Sequence, residues 1–251
     1  MSETGAAERV VTACVLIIGN EILSGKTQDT NLQFLGFELA KLGIRLAEAR
    51  VVRDEPAAII RHLNEARREF TYVFTTGGIG PTHDDITAEC VAQAFGVPLE
   101  LHDDAVERLK RGGRPLNEAR LKMARVPRGA QLVDNPVSNA PGFRIDNVFV
   151  FAGIPSIARA MFASAIPMLV HAAPILSASV DVHLREGDFA EVLEQIQGRY
   201  PTVEIGSYPF NRDGRFGATL VARGTDRGLL TKAVDEIVAA MTKLGGETRV
   251  L

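Results

Sequence analysis

The sequence predicts an α/β protein with a mostly parallel sheet, followed by a small α+β unit. Through the first two-thirds of the chain, continuous apolar runs alternate with segments of helical periodicity, a pattern typical of parallel strands buried on both faces. Right-handed crossovers join strands in such an arrangement. Beyond Pro174 the pattern changes to strand, helix, strand, strand, helix. We therefore expect a flexible lead-in over residues 1–10, an α/β domain over 11–173 and a small βαββα domain over 177–251.

Apolar spacing and stop signals mark the first elements. Residues 10–18 form a continuous apolar run, and leucines then recur at helical spacing until Gly43 stops the pattern. Residues 44–52 are the second strand candidate. Asp54 and Pro56 are typical of a helix start, because the first can cap the helix and the second fits its first turn.

A third strand over residues 72–75 leads into the loop GGIGPTHDDIT. One of the two aspartates in this loop is expected to cap the next helix. Ligands of parallel sheets bind outside the carboxyl ends of the strands, so this topology gathers four acidic side chains around the glycine loop. They are Glu21, Asp54, Asp84 and Asp85.

The rest of the larger domain is predicted from shorter patterns. Residues 101–125 indicate two short helices, which the turn-like RGGRP separates. The segment RIDNVFVF, residues 144–151, is strand-like. Residues 157–171 then indicate the helix that closes the domain.

In the smaller unit, two helix starts are predicted from acidic residues. Asp188 with Glu191 resembles a capping box, and Asp226 is expected to cap the last helix. Tyr208 and Phe210 lie on a predicted strand and are reminiscent of base-stacking sheets. Without basic residues between them, we expect them to pack in the core.

Composition limits the classes of partner. The chain has 251 residues, 46% of them hydrophobic, and a formal net charge of −3, which argues against a general nucleic-acid binder. No apolar run is long enough to span a membrane, and the start MSETGAAERV lacks a signal-peptide pattern. Cys14 and Cys90 have no metal-ligand spacing and are expected in the core. We therefore expect a cytoplasmic protein without nucleic-acid or membrane partners.

The glycine loop combines two features that conflict near an anion. Backbone N–H groups of Gly77, Gly78 and Gly80, at the start of a helix, can bind phosphate oxygens. Asp84 and Asp85 repel the same phosphate. A Mg²⁺ ion shared between carboxylates and phosphate oxygens would resolve the conflict.

Each of these residues also has an ordinary structural interpretation. Paired glycines occur in many α/β turns for steric reasons, and the loop is neither a Walker A sequence nor a G-x-G-x-x-G fingerprint. Asp54, like one aspartate of the loop, could simply cap a helix. His83 and Lys26 are more typical of solvated loop residues than of a catalytic base and a phosphate ligand.

Five segments together resemble a known family. "IGNEILSGKTQDTN", "VVRDEP", "TTGGIGPTHDDIT", "NPVSNAPGF" and "GIP" occur in that order, as in the molybdopterin-binding-like domain. The resemblance is closest to its CinA branch, the competence/damage-inducible protein A family. FAD synthases carry a related domain, and MogA and MoaB are more distant relatives. The resemblance implies a three-layer α/β/α sandwich of the MogA/MoaB type, followed by the small C-terminal domain.

The resemblance also implies a site. Asp54 and Asp85 match the aspartates that are essential in pterin-processing relatives, so they are the expected catalytic residues, and Asp85, Asp84 and Asp54 are the expected metal ligands. Relatives form dimers or trimers, so we expect a homo-oligomer. The expected ligand-binding residues are Thr76, Gly77, Gly78, Gly80, Thr82, Asn139, Gly142, Gly153 and Ser156.

Two departures from the family pattern leave the function open. Ser138 and Asn139 replace Gly-Thr, and Ala152 and Ile157 replace a proline and an acidic residue. The first hypothesis is a metal-dependent nucleotide pyrophosphatase that cleaves ADP-ribose or FAD, with Mg²⁺ as cofactor. The second is a non-catalytic protein that binds molybdopterin or a nucleotide. A third is an interaction scaffold with a degenerate pocket.

Overall fold

The computed structural model describes residues 10–212 and 214–251. The described chain divides into two compact units. The larger contains residues 10–39 and 44–172, and the smaller contains 40–43 and 173–251 without residue 213. The expected flexible lead-in over residues 1–10 lies outside the described residues except for Val10.

The larger unit is built on a mostly parallel sheet, as predicted. Its strands in the described chain are β1 (Thr12–Ile18), β2 (Arg45–Val52), β3 (Tyr72–Thr76), β4 (Leu99–Leu101), β5 (Arg125–Pro127), β6 (Gln131–Val133), β7 (Gly142–Ile145) and β8 (Val148–Phe151). The strand order in the sheet is β2-β1-β3-β8-β7-β6, and β4 and β5 form a separate pair. In the sheet β1, β2, β3 and β8 are parallel, and β7 is antiparallel to both its neighbours. The helices are α1 (Asn20–Leu23), α2 (Asn31–Lys41), α3 (Pro56–Glu69), α4 (Thr87–Phe95), α5 (Asp103–Arg111), α6 (Glu118–Lys122) and α7 (Pro155–Ala165).

Helices cover both faces of this sheet. On one face Phe74 stacks on Phe149 with ring centroids 5.2 Å apart, and Phe162 of α7 packs against both Phe74 and Phe34 of α2. On the other face, buried side chains of the central strands pack against α3 and α4; among them are Leu16, Val73, Val150, Leu63 and Val91. The result is the three-layer α/β/α sandwich that the resemblance implied.

The segment RIDNVFVF was expected to be one strand, and this prediction is wrong. Its residues belong to β7 and β8, which form an antiparallel hairpin with Ile145 opposite Val148. The turn consists of Asp146 and Asn147, and Asp146 has a φ of 52°, a backbone conformation that short polar residues adopt more readily than others. The predicted helix over 157–171 begins earlier, at Pro155, and ends at Ala165 before a 3₁₀ turn over Ile166–Met168.

The smaller unit contains one strand more than the predicted βαββα. Its elements are β9 (Leu176–His183), α8 (Glu186–Arg199), β10 (Glu204–Arg212), β11 (Arg215–Gly224), α9 (Arg227–Lys243) and β12 (Glu247–Val250). The order β10-β11-β9-β12 is antiparallel throughout, which is the ferredoxin-like arrangement of a βαββαβ chain. Sequence reasoning missed β12 because it is short and mostly polar.

Two further predictions in this unit are wrong, and one is confirmed. Tyr208 is 51% exposed, and Phe210 lies between the His183 ring and the Arg212 guanidinium, outside the buried cluster. The helix α8 starts at Glu186 without a side-chain cap, so Asp188 forms no capping box. Asp226 does cap α9, because its Oδ1 accepts a hydrogen bond from the N–H of Leu229 at 2.9 Å.

Both cysteines are buried free thiols in the larger unit, as predicted. Burial raises the pKa of Cys14 and of Cys90 to about 11, so both thiols stay protonated at neutral pH. No helix of the described chain is long and apolar enough to cross a membrane.

Leu35 and Leu23 offer a matched test of this core. Leu35 is fully buried on α2, whereas Leu23 is 54% exposed. Leu35→Ala should lower the free energy of unfolding by about 2–5 kcal/mol, because it removes buried methyl groups and leaves a cavity. Leu23→Ala should change it by less than about 1 kcal/mol. Urea denaturation of both variants measures this, and equal losses would contradict the assignment of α2 to the core.

Candidate functional site

The loops that follow the parallel strands lie side by side at one edge of the sheet. The N–H of Gly19, after β1, donates to the carbonyl of Val52 at the end of β2 at 3.1 Å. The N–H of Gly77, after β3, donates to the carbonyl of Phe151 at the end of β8, also at 3.1 Å. The next residue of the first loop donates its N–H to Asp54 Oδ2 at 2.8 Å. Asp54 is therefore held against the β1 loop.

Gly77 and Gly78 are needed for the path of the glycine loop. Both have positive φ angles, 102° and 68°. A Cβ on Gly77 would lie 2.1 Å from the carbonyl oxygen of Ile18, and one on Gly78 would lie 2.1 Å from Thr87 Oγ1. Thr87, the first residue of α4, donates its hydroxyl to the Gly77 carbonyl at 3.0 Å and its N–H to the Gly78 carbonyl at 2.9 Å. The loop is thereby fixed to both β1 and α4.

This path decides which N–H groups are open to a ligand. The N–H of Gly77 is already bonded to Phe151, so it does not face an anion. Among residues 10–212 and 214–251, the N–H groups of Gly78, Ile79 and Gly80 have no hydrogen-bond partner. These three residues are half-buried and precede the N-terminus of α4, where the helix dipole favours a negative charge.

Asp84 and Asp85 meet at one hydroxyl group. Asp85 Oδ2 accepts hydrogen bonds from the N–H of Thr82 at 2.8 Å and from its Oγ1 at 2.5 Å. Asp84 Oδ1 lies 2.6 Å from the same Oγ1. The hydroxyl has one proton, so the two carboxylates share it. The hydrogen bond from Thr82 is the main reason why the pKa of Asp84 lies below its usual value, and nearby His83 lowers this pKa further.

The predicted capping roles of these aspartates are wrong. The N-cap of α4 is Ile86, and the helix has no side-chain cap because the aspartates bond to Thr82 instead. The N-cap of α3 is Glu55, again without a side-chain bond. The carboxylate of Asp54 is bonded to Asn20, on the neighbouring loop.

A small cavity of about 40 Å³ opens beside Asp85. Its wall includes Gly80 and Phe143, together with two cationic side chains, Lys122 of α6 and Arg125 of β5. Lys122 Nζ donates a hydrogen bond to the carbonyl oxygen of Thr82 in the glycine loop. Sequence reasoning missed both cations, because nothing in the sequence connects α6 and β5 with the loop after β3.

The residues expected on the opposite wall are dispersed. Gly153 is adjacent to the glycine loop, since a Cβ on it would lie 3.3 Å from the Cα of Gly77. Ser156 is exposed in the first turn of α7. Gly142 is buried in β7, where a Cβ would lie 2.5 Å from the Val150 carbonyl, and Asn139 lies beside Gly112.

Asn31 is a site residue that sequence reasoning did not single out. It is 3% exposed, and its Nδ2 donates to the carbonyl of Gly153 at 2.8 Å. Its Oδ1 and the Oγ1 of Thr76 are both buried without a hydrogen-bond partner in the described chain. Buried polar atoms without a partner are rare in native structures, and a ligand at this edge of the sheet would explain both of these. The signal was available, because Asn31 ends the quoted motif IGNEILSGKTQDTN.

The carboxylates fit only one kind of metal site. In the part of the chain that the structure describes, no three or more His, Cys, Asp or Glu side chains are grouped to hold a metal. Asp54, Asp84 and Asp85 are thus not a preformed ligand set. Asp84 and Asp85 do lie together, and Mg²⁺ is commonly held by one or two carboxylates with substrate phosphates completing its shell. The residues fit an ion that arrives with a phosphate ligand.

Two models of known protein families match this chain. Residues 14–171 match the family model described as a probable molybdopterin binding domain, and residues 174–245 match the FAD synthase middle domain. The chain therefore belongs to the molybdopterin-binding domain family.

Its relatives narrow the type further. A CinA-like protein of Gloeobacter violaceus is 32% identical over 94% of this chain, and the chain spans 58% of that protein. A probable FAD synthase of Caenorhabditis briggsae is 34% identical over 79% of this chain and 43% of its own length. The crystal structure of the protein CinA from Thermoplasma acidophilum is 33% identical and superposes with a TM-score of 0.59, covering 62% of this chain and 96% of its own. The CinA-type assignment indicated by the motifs is confirmed.

Substitutions at Gly77 and Gly25 allow the cost of steric overlap to be measured separately from the cost of backbone strain. Both have positive φ, but a Cβ on Gly25 would meet nothing within 4 Å. Gly77→Ala should lower the free energy of unfolding by roughly 3 kcal/mol or more, because strain and overlap with the Ile18 carbonyl combine. Gly25→Ala should cost about 1–2 kcal/mol, from strain alone. Chemical denaturation of both variants tests this, and equal costs would mean that the loop moves away from β1 freely.

The shared hydroxyl predicts a measurable pKa change. Thr82→Val removes the donor, so the pKa of Asp84 should rise towards its ordinary value, whereas Thr82→Ser should keep it low. A lowered pKa in the folded state stabilises the fold above the unfolded-state value of about 3.9, and this contribution is lost as the pH falls through the folded-state pKa. Carboxyl ¹³C NMR titration measures both variants. An unchanged pKa in Thr82→Val would contradict the hydrogen bond.

Proposed function

We propose that this protein binds a nucleotide or pterin through its diphosphate and hydrolyses a pyrophosphate bond, with ADP-ribose and FAD as candidate substrates. One observation carries the proposal. The N–H groups of Gly78, Ile79 and Gly80 have no partner in the described chain, and they lie in the loop where Asp84 and Asp85 share the Thr82 hydroxyl. Donors for phosphate oxygens and carboxylates for a cation are thus combined in one loop.

The chain's own groups would hold the diphosphate. The N–H groups of the loop would donate to phosphate oxygens, and the positive end of the α4 dipole would add to the attraction. Gly80 lies close to this carboxylate, because a Cβ on it would lie 2.6 Å from Asp85 Oδ2, so a larger residue there would displace the Asp85 side chain. Thr82 orients both carboxylates before a ligand binds, which reduces the cost of ordering them.

Asp84 and Asp85 would hold a divalent ion, with Mg²⁺ as the expected species, and phosphate oxygens of the ligand would complete its coordination. Such an ion, when bound, supplies charge neutralisation and activation of water. Asp54 is held at the β1 loop by Asn20 and would be the third expected acidic residue of the site. In the overall reaction, the oxygen of water bonds to one phosphorus and the bridging P–O bond breaks. ADP-ribose would yield AMP and ribose 5-phosphate, and FAD would yield AMP and FMN; the two protons of the water pass to the product phosphates or to solvent.

The relatives support both the ligand class and an enzymatic role. Matches to a molybdopterin-binding domain and to the middle domain of FAD synthase point to small molecules in which a phosphate is attached to a ring system. The FAD synthase names of relatives such as that of Caenorhabditis briggsae favour a nucleotide over a pterin.

Non-catalytic binding of molybdopterin or a nucleotide is the second candidate, and the lack of a third clustered acidic ligand in the described chain favours it. Ile157, where the family resemblance expects an acidic residue, is half-buried in the first turn of α7. An apolar side chain there cannot bind a cation or orient water, so this binding module would keep the diphosphate cradle and lack turnover.

Turnover distinguishes the two candidates. Purified protein incubated with ADP-ribose or FAD and Mg²⁺ should release AMP, measured by liquid chromatography. Asp85→Asn should lower the rate by about a hundredfold or more, because it removes a charge that acts on the transition state. Asp235→Asn, an exposed substitution on α9, should leave the rate unchanged and serves as the control.

The other outcomes are equally informative. Saturable binding of ADP-ribose or FAD without AMP release would replace the enzyme by the binding module. If neither ligand binds and Asp85→Asn changes nothing, the site is degenerate and the protein is an interaction scaffold.

A further inference from the structure

Two cationic side chains, Lys122 and Arg125, line the cavity beside Asp85, together with the carboxylates of Asp85 and Glu89. Lys122 is half-buried, and within the described chain it donates a hydrogen bond to the uncharged carbonyl of Thr82. Arg125 is exposed, and within the described chain neither side chain forms an ion pair. Both line the same cavity as Asp85 and Gly80. This differs from the neighbouring Lys110 of α5, which pairs with Glu107 at 2.5 Å.

An ammonium group that bonds only to a carbonyl keeps donors available. Lys122 has three N–H donors, and its described acceptor, the Thr82 oxygen, uses one of them. The charge of Lys122 also acts on Asp84, whose pKa it helps to lower. Lys122 therefore brings positive charge to the acidic part of the glycine loop from α6, which is 40 residues further along the chain.

The volume of the cavity limits what can enter it. At about 40 Å³ it exceeds the roughly 10–15 Å³ that one water needs, but it is far below the several hundred Å³ of sites for drug-sized ligands. The enclosed part of the cavity therefore suits a small group such as a phosphoryl better than a base or a pterin ring. The wall also carries the carboxylates of Asp85 and Glu89, so a negative group is favoured once a divalent ion has bound to Asp85 and left the two cations in excess.

We propose that Lys122, assisted by Arg125, forms an anion subsite that takes one phosphoryl group of the ligand on the α6 side of the glycine loop. This inference rests on the proposed function and deepens it, because it assigns residues to the phosphate that the loop N–H groups do not hold. The subsite also explains how Asp84 and Asp85 can stand next to a diphosphate. Lys122 offsets part of the negative charge of Asp84 and Asp85 whether or not a ligand is bound. A divalent ion then has to neutralise only the rest of that charge.

Lys122→Gln tests this subsite directly. Glutamine removes the charge and keeps an N–H donor, on a side chain that is one bond shorter, so the melting temperature shows whether the contact between α6 and the loop is kept. Isothermal titration calorimetry with inorganic pyrophosphate and Mg²⁺ should show affinity about 10–100-fold weaker than in the parent, as expected for one lost charged hydrogen bond. Lys122→Arg should recover most of the affinity, and Lys110→Gln should bind like the parent. Melting temperatures of all variants should stay within a few degrees of the parent.

Three other results would contradict either the subsite or the proposed function. If the parent binds pyrophosphate and Lys122→Gln binds it equally well, the subsite is wrong, while the proposed function stands on the effect of Asp85→Asn. If Lys122→Gln and Lys122→Arg lose affinity equally and both melt at lower temperature, Lys122 is a structural tether and the subsite is again wrong. If the parent binds neither pyrophosphate nor ADP-ribose, the proposed function fails and the subsite fails with it.

Discussion

The close approach of Gly77 to the carbonyl of Ile18 is the constraint on which the site depends. At this point there is no room for a side chain, since a Cβ would lie 2.1 Å from the carbonyl oxygen. The glycine lets the chain leave β3 directly beside the end of β1, with a positive φ that other residues rarely adopt. The following carbonyls then turn towards Thr87 and α4. As a consequence, the next three N–H groups have no partner in the described chain, and the aspartates follow within a few residues.

The second constraint is electrostatic. Asp84 and Asp85 converge on the Thr82 hydroxyl, and two carboxylates in that position repel each other and any phosphate. The hydroxyl proton of Thr82, which both carboxylates share, lowers this repulsion. Lys122 donates a hydrogen bond to the Thr82 carbonyl and so places a positive charge nearby. Such exposed groups contribute little to stability. Their convergence is therefore better explained by ligand binding than by folding, and the family match to molybdopterin-binding domains is consistent with that interpretation.

Features that depend on residues close together in the sequence could be predicted, whereas features that depend on contacts between distant residues could not. The central parallel strands β1 and β3 were predictable because strands buried on both faces are continuously apolar. The topology then placed Asp54 at the edge where the strands end, and there it bonds to Asn20 on the loop after β1. The caps of α3 and α4 were not predictable, because Asp54, Asp84 and Asp85 had competing donors that only the fold supplies. The same holds for the β7–β8 hairpin, whose turn at Asp146 interrupts what looks like one strand. Lys122 and Arg125 were missed because they lie far along the chain from the loop, and no periodicity relates them to it.

The two cysteines have a practical consequence for the study of this protein. They are the only cysteines in the sequence, and both are buried in the larger unit, Cys14 in β1 and Cys90 in α4. Of these elements, β1 ends in close contact with Gly77 of the glycine loop, and α4 bonds to that loop through Thr87. A thiol reagent reaches neither sulfur while β1 and α4 stay packed, and their raised pKa values keep the reactive thiolate scarce. The rate at which a thiol reagent modifies the folded protein therefore reports how often the larger unit opens. The smaller unit has no cysteine, so it adds nothing to this signal.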